Sequence, residues 1–264
     1  GSGNGPAFKA GEDGIAGLRT ANARVHARLA EAQRVAIVGA GAVGTELAGE
    51  LAYHMPGKHI TLVSADATLF PTWPTRLGTS LLAQLRSAGV DVVRGAKVEN
   101  LQSVTEPYAG TLRLSTGQTI GADLIIPAVG SRANSELLAG LPGAVKSTGN
   151  RVIADGWMRP STLANVFAAG DVADLGDPMT IASQMRQLPW LRDTLLALLQ
   201  GEPLENRPRY QPADASKGHI LIPLGPYQGA SYLGRFTVGP FLTRLIKGKD
   251  LFITRYRKQW QTSS

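Results

Sequence analysis

The sequence predicts an α/β protein of the doubly wound kind. Three observations predict it. Residues 35–38 form a continuous apolar, β-branched-rich run that drives straight into the glycine turn Gly39-Ala-Gly41-Ala-Val-Gly44. Val43, Leu47 and Leu51 then recur at helical spacing, and a second apolar run, His59–Val63, follows at the distance a βαβ unit needs.

A strand over 35–39 with no polar alternation is expected to be buried on both faces, as a parallel strand is. Gly39 permits the tight turn, Gly41 lets a backbone approach a pyrophosphate, and Gly44 lets the helix over 42–54 pack close to the strand. An anion would sit on the unpaired N–H groups of that helix. A strand over 59–64, a helix over 75–88 and a strand over 90–93 continue the rhythm. A helix over 16–32 leads into it, after a Gly-rich first dozen residues without periodic signal. Short strands over 96–101, 111–115 and 118–120, broken by turn signals at Pro107-Tyr-Ala-Gly110 and Ser115-Thr-Gly117, predict a β-meander that ends in the buried run 123–130.

A second signal lies at Asn165-Val-Phe-Ala-Ala-Gly170-Asp171, expected as a strand that delivers a glycine and a carboxylate to its C-terminal edge. A helix over 178–199 follows. Its first turn, Met179-Thr180-Ile181, would aim free N–H groups toward whatever Asp171 touches. From Gly201 the prolines at 203, 208, 212, 223, 226 and 240 and the apolar runs 219–222 and 230–238 suggest a separate antiparallel module.

The 264 residues suffice for one large or two modest domains. No apolar stretch approaches the roughly 20 residues that span a bilayer. Cysteine is absent, which removes disulfides, thiolate zinc sites and a catalytic thiol from this chain. No metal site is expected. The net charge of +7 suggests anionic partners. From Gly239 onward Arg244, Lys247, Lys249, Arg255, Arg257 and Lys258 face the lone acid Asp250 and interleave with Phe241, Leu242, Leu245, Ile246, Leu251, Phe252, Tyr256 and Trp260. That pattern suits an anionic membrane surface or a solvated basic face rather than nucleic acid.

The turn at 39–44, the meander, Ala128-Val-Gly130 and Val166-Phe-Ala-Ala-Gly170-Asp171, in this order, resemble the two-dinucleotide-binding-domain flavoproteins of the pyridine nucleotide-disulfide oxidoreductase superfamily. The closing stretches Gly234-Arg-Phe-Thr-Val-Gly239 and Lys247-Gly-Lys-Asp-Leu-Phe-Ile253 resemble the ferroptosis-suppressor and apoptosis-inducing-factor-like branch, with type II NADH dehydrogenases as neighbours. The resemblance implies a Rossmann-type NAD(P)-binding domain over 34–130. It implies the C-terminal part of an FAD-binding domain over 131–200, an interface or membrane-proximal α+β module over 201–264, and a remnant of the FAD domain with a linker over 1–33. In this reading the N-terminal FAD half is missing. Gly1-Ser2-Gly3 then matches the tail of the family's Ala-Thr-Gly-Ser turn or, equally, a cloning scar.

What the resemblance implies for function is an FAD-dependent oxidoreductase that moves a hydride from NAD(P)H to FAD and passes electrons to a quinone-like acceptor. Gly39, Gly41, Gly44 and Gly130 carry over as NAD(P)H-binding residues. Glu46 carries over as the glutamate near the nicotinamide; on its residues alone it is equally a first-turn acid worth about 0.3–1 kcal/mol against the helix dipole. Gly170 and Asp171 would meet FAD hydroxyls, and the amides around Thr180 and Ile181 the flavin N1 and O2 edge. Ser64 ends the second strand where an acid would read the ribose 2′-hydroxyl. With Asp66 and Arg76 close by, both NADH and NADPH stay open. The resemblance allows a homodimer and an intracellular, cytoplasmic or membrane-peripheral setting. The alternatives are a nucleotide-binding fragment without catalysis and a disulfide reductase relative.

Overall fold

A computed structural model describes residues 2–3, 13–147, 149–214 and 218–261. The chain divides into two compact units, Gly5–Gly130 with Lys217–Ser264 and Gly1–Asn4 with Ser131–Ser216.

In the first unit, α1 (Gly14–Glu31) leads into β1 (Arg34–Val38), followed by α2 (Ala42–His54), β2 (His59–Val63), α3 (Thr75–Ser87) and β3 (Asp91–Val93). Then come β4 (Tyr108–Arg113) and β5 (Thr119–Pro127). They form one five-stranded sheet in the order β3-β2-β1-β5-β4. All neighbours are parallel except the edge strand β4, which is antiparallel to β5. Val35 to Val38 are buried because β1 is central: Val35 pairs with Ile60 on one side and Leu124 on the other. One face of the sheet packs Ile37, Leu62, Leu124 and Ile126 against Leu77, Leu81 and Leu85 of α3. The other gathers Ala36, Val38, Val63 and Ile125 into a cluster with Leu112 and Leu114.

The meander differs from expectation in two respects. The runs at 118–120 and 123–127 are one strand, because Gly121 and Ala122 keep their pairing with Thr111 and Gly110 instead of breaking it. Residues 96–101 are not a strand. Their one β-bridge to the sheet among the described residues is Val98–Leu114, and the Asn100 side chain stands in for a ladder by donating to the Thr111 carbonyl (2.9 Å) and accepting from the Arg113 amide (2.7 Å).

The C-terminal segment does not stand apart from this unit. The antiparallel sheet β6 (His219–Leu224), β7 (Gln228–Leu233) and β8 (Phe236–Val238) packs β6 on α2 and β7 on α3. Ile222, Leu224 and Ala230 join the same apolar core as β1 and β2, which joins the expected separate module to the dinucleotide fold. Pro223 is tolerated because β6 is an edge strand. Beyond β8, α4 (Pro240–Thr243) runs into a π-helical turn, Arg244–Gly248, and α5 (Ile253–Gln261) follows.

This packing corrects the expected stripe on α2. Val43 is 72% exposed, and the buried residues are Gly44, Thr45, Ala48, Gly49 and Leu51. Two faces of α2 are covered, one by the sheet and one by the hairpin. Gly49 is the point of closest approach, since a Cβ there would lie 2.5 Å from Leu224 Cα.

The second unit has little sheet. Ser2–Gly3 pairs antiparallel with Arg132–Ala133, and Val152–Ile153 pairs parallel with Ala173–Asp174. The expected strand at 165–171 is absent: the chain is irregular until the 3-10 turn Gly170–Val172. Its apolar run finds no flanking strand among the described residues, and an isolated strand is not stable. The long helix Ile181–Leu199 follows, three residues shorter at its start than expected because Thr180 is its N-cap. Its amphipathicity is inverted: Ser183, Gln187, Thr194 and Ala197 are buried, while Ile181, Met185, Leu188, Leu195, Leu196 and Leu199 are exposed. Gly1, residues 4–12 and the side chains of Arg255 and Trp260 lie outside the described residues.

Candidate nucleotide site

The glycine turn sits at the C-terminal edge of the parallel strands, between β1 and its neighbours. Strand order reverses there, the position at which open α/β sheets bind ligands. The Gly39 amide extends the ladder to the Val63 carbonyl (2.9 Å), and the Ala128 amide does the same to Val38 (2.7 Å). Gly39 adopts φ +109°, and a side chain on it would strike the Ala128 carbonyl. A side chain at Gly44 would strike the carbonyl of Gly39. Both glycines are thus fixed by the protein itself. Gly41 is different: at φ −70° its conformation suits any residue, and a Cβ there would meet nothing within 4 Å. Only a ligand approaching the backbone would require glycine at that position.

Gly41 is also the N-cap of α2 and offers no side-chain cap. The first intrahelical bond runs from Thr45 N–H to the Gly41 carbonyl (3.0 Å), which leaves the first-turn amides and the positive end of the dipole to an anion. A dinucleotide pyrophosphate fits this cradle. Gly130, at φ +96°, lies just past β5 with open space around its Cα. Ser64, at the end of β2, is buried, and its hydroxyl accepts from the Asp66 amide (3.2 Å). That shapes the turn which exposes Asp66, the nearest carboxylate on this strand end.

Glu46 lies within the second turn of α2, not in the first as expected, because the helix starts at Ala42. Its carboxylate accepts from Lys247 Nζ at 2.6 Å, and Lys247 also donates to the Leu221 carbonyl (3.3 Å). Both side chains are about four-fifths withdrawn from water, at 22% and 21% exposure. Burial pushes the Glu46 carboxyl above its ordinary range, against the opposing pull of Lys247. The sequence placed Lys247 among the outward basic residues of the tail. The π-helical turn instead swings it onto a carboxylate 201 residues earlier. No local pattern announces that pairing.

Gly170, Asp171, Thr180 and Ile181 lie in the other unit. Gly170 adopts φ +76° and donates its amide to Gln187 Oε1 (2.7 Å). The Asp171 carboxylate accepts from Gln184 Nε2 (3.3 Å). Thr180 is more committed than expected. Its amide donates to the Pro178 carbonyl (2.8 Å), and its hydroxyl accepts from the Ser183 amide (3.3 Å) and contacts the Ser183 hydroxyl (2.9 Å). It therefore caps the helix, and Ile181, the first helical residue, is 59% exposed. Asp177 was not singled out by the sequence. It is fully enclosed and accepts from Tyr210 Oη (2.5 Å), Arg186 (2.7 Å), Gln187 (3.0 Å) and the Ala213 amide (3.0 Å). Burial pushes its pKa up, but these four bonds outweigh burial and hold it below the ordinary carboxylate value. Burial, with Asp177 beside it, pushes the Tyr210 phenol up to about 12.

The chain is 27% identical to the FAD-dependent oxidoreductase FVFD30 of Flammulina velutipes, with 86% of this chain and 69% of that protein covered. It is 30% identical to the oxidoreductase phnG of Penicillium herquei (92% and 63%) and 26% identical to human Ferroptosis suppressor protein 1 (86% and 60%). It therefore spans roughly two thirds of the length of these relatives. In fold it is similar to the ferredoxin reductase of the CYP199A2 system from Rhodopseudomonas palustris, with a TM-score of 0.56 at 18% identity over 72% of this chain and 45% of that one. It is also similar to the reduced CoADR-RHD of Bacillus anthracis, with a TM-score of 0.57 at 19% identity over 74% and 34%. The family profile described as pyridine nucleotide-disulphide oxidoreductase matches residues 2–188, from the first described strand through the glycine cradle, the Gly170-Asp171 turn and the first two turns of the long helix, and the chain belongs to that family.

Proposed function

We propose that this chain supplies the NAD(P)H site and part of the FAD site of an oxidoreductase that moves a hydride from NAD(P)H to FAD and electrons on to a quinone-like acceptor. The observation that carries this reading is the cradle at Gly39, Gly41 and Gly44. Two of its glycines are required by internal packing, and the third faces open space at an uncapped helix N-terminus. The α2 amides would hold the pyrophosphate, with Gly130 as a second close backbone approach. Glu46, partly withdrawn from water beside Lys247, is a carboxylate able to hold a proton or accept a hydrogen bond next to that cradle. Asp171 would accept hydrogen bonds from nucleotide hydroxyls. FAD, when bound, supplies the two-electron acceptor. The quinone-like acceptor follows from the resemblance to the ferroptosis-suppressor branch.

The test is spectroscopic. NADH or NADPH added anaerobically to the flavin-loaded protein is expected to bleach the visible flavin band; an oxidised spectrum that persists with both would overturn the reading. Calorimetry on the chain alone separates the rival reading, in which NAD(P)H binds, no flavin is retained and nothing is catalysed.

A membrane-surface role is supported by one observation. Phe241, Leu245 and Ile253 are 76%, 69% and 50% exposed alongside the exposed Lys249 and Arg257. Among the described residues no helix is long and apolar enough to cross a membrane, so such binding would be peripheral. Co-sedimentation with vesicles is expected to rise with anionic lipid content; binding indifferent to lipid charge removes the proposal.

A further inference from the structure

We propose that Arg151 and Gln187 are positioning residues that fix the Gly170–Asp171 turn, and with it the direction in which Asp171 meets nucleotide hydroxyls. The ligand part of this statement rests on the reading above. The segment from Gly170 to Asp177 has almost no regular structure: one 3-10 turn and a two-residue strand. Its backbone must therefore find partners elsewhere.

Arg151 supplies three of them. Its guanidinium, only 11% exposed, donates to the carbonyls of Asp171 (3.2 Å), Ala173 and Asp177 (2.8 Å) and to the Asp174 carboxylate (3.4 Å). The planar fork of an arginine reaches all four; a lysine ammonium has three donors on one atom and cannot span them. Gln187 closes the loop from the other side. Its side chain is buried, its oxygen takes the Gly170 amide and its nitrogen donates to Asp177 (2.7 and 3.0 Å). One side chain thus ties both ends of the turn, while Arg151 ties its middle. Gly170 is held at φ +76°, where a glycine is needed, and the Asp171 side chain leaves a backbone that is fixed on both sides. A buried glutamine on the long helix and a nearly buried arginine beside Val152, both turned onto this short loop, have no packing role that an apolar residue would not fill better.

The test uses the full chain with R151K, Q187M and, as a control, T194V. Thr194 is buried on the same helix, and its hydroxyl has no hydrogen-bond partner among the described residues. Amide hydrogen exchange over 170–174 and FAD affinity by fluorescence titration are measured together, with NADH affinity as a reference. R151K and Q187M are expected to speed exchange in the turn at least about tenfold and to weaken FAD binding by a similar factor, while NADH affinity and the T194V control stay unchanged. Unchanged turn exchange in both variants overturns the proposal. Faster exchange with unchanged FAD affinity overturns the link to Asp171. If the parent chain binds no FAD yet the turn loosens, the positioning role stands and the flavin reading fails. If R151K loses protection throughout residues 131–214, Q187M alone decides.

Discussion

Gly41 and Gly44 stand three residues apart, and only Gly44 is held to glycine by the packing of the chain itself. A methyl group at Gly44 collides with the Gly39 carbonyl, whereas one at Gly41 enters empty space. Gly44→Ala is therefore expected to lower stability by about 1–3 kcal/mol through overpacking. Gly41→Ala should stay within about 0.5 kcal/mol of the parent and lose NAD(P)H affinity by about tenfold, or 1.4 kcal/mol. Chemical denaturation and nucleotide titration of the two variants separate these outcomes. At the same scale, Asp177 has a folded-state pKa below its unfolded value. Its stabilising contribution is present above the ordinary carboxylate pKa and is lost as pH falls through the depressed one. Asp177→Asn should remove that share of the acid sensitivity. It should also cost about 3 kcal/mol at neutral pH, because Arg186 and Tyr210 lose a buried charged partner. Denaturation midpoints followed from pH 7 to strong acid check both.

Helix α2 shows how an element can serve two partners. Its Gly44 side lies against the turn after β1, at Gly39 and Ala128, and its Gly49 side lies against Leu224 of β6. Gly49→Ala is expected to cost about 1–3 kcal/mol, since the Leu224 backbone would have to retreat. Thermal unfolding measures the loss. The long helix Ile181–Leu199 poses the reverse problem, with polar residues inside and leucines outside. Met185→Gln combined with Leu188→Gln should leave the melting temperature nearly unchanged and reduce the binding of an environment-sensitive apolar dye. A large loss of stability would show that this face is covered within the chain.

At the scale of the whole molecule, the Glu46–Lys247 pair links the nucleotide fold to the C-terminal segment over 201 residues of sequence. Lys247→Met would leave Glu46 partly buried without its cation and should lower stability by about 1–3 kcal/mol. Glu46→Gln in the same chain should restore part of that loss. A double-mutant cycle with a coupling of at least about 0.5 kcal/mol is the expected result; additive effects would mean that the pair contributes nothing to docking the segment.

The sequence by itself determined the βαβ core, the position of the glycine turn and the family. All of these depend on interactions close in the chain: a doubly buried strand, a turn that only glycine can make and a helix that starts on it. The absence of a strand at 165–171 could not be read, because a strand exists only through its neighbours. The same holds for the meander, where Asn100 stands in for a ladder. Tertiary structure alone decided three things: that the tail completes the core rather than forming its own module, that Lys247 turns inward to Glu46, and that Arg151, Gln187 and Asp177 organise the Gly170–Asp171 turn. Each is a contact between distant residues of ordinary local character, so its information lies in the packing and not in any window of the chain.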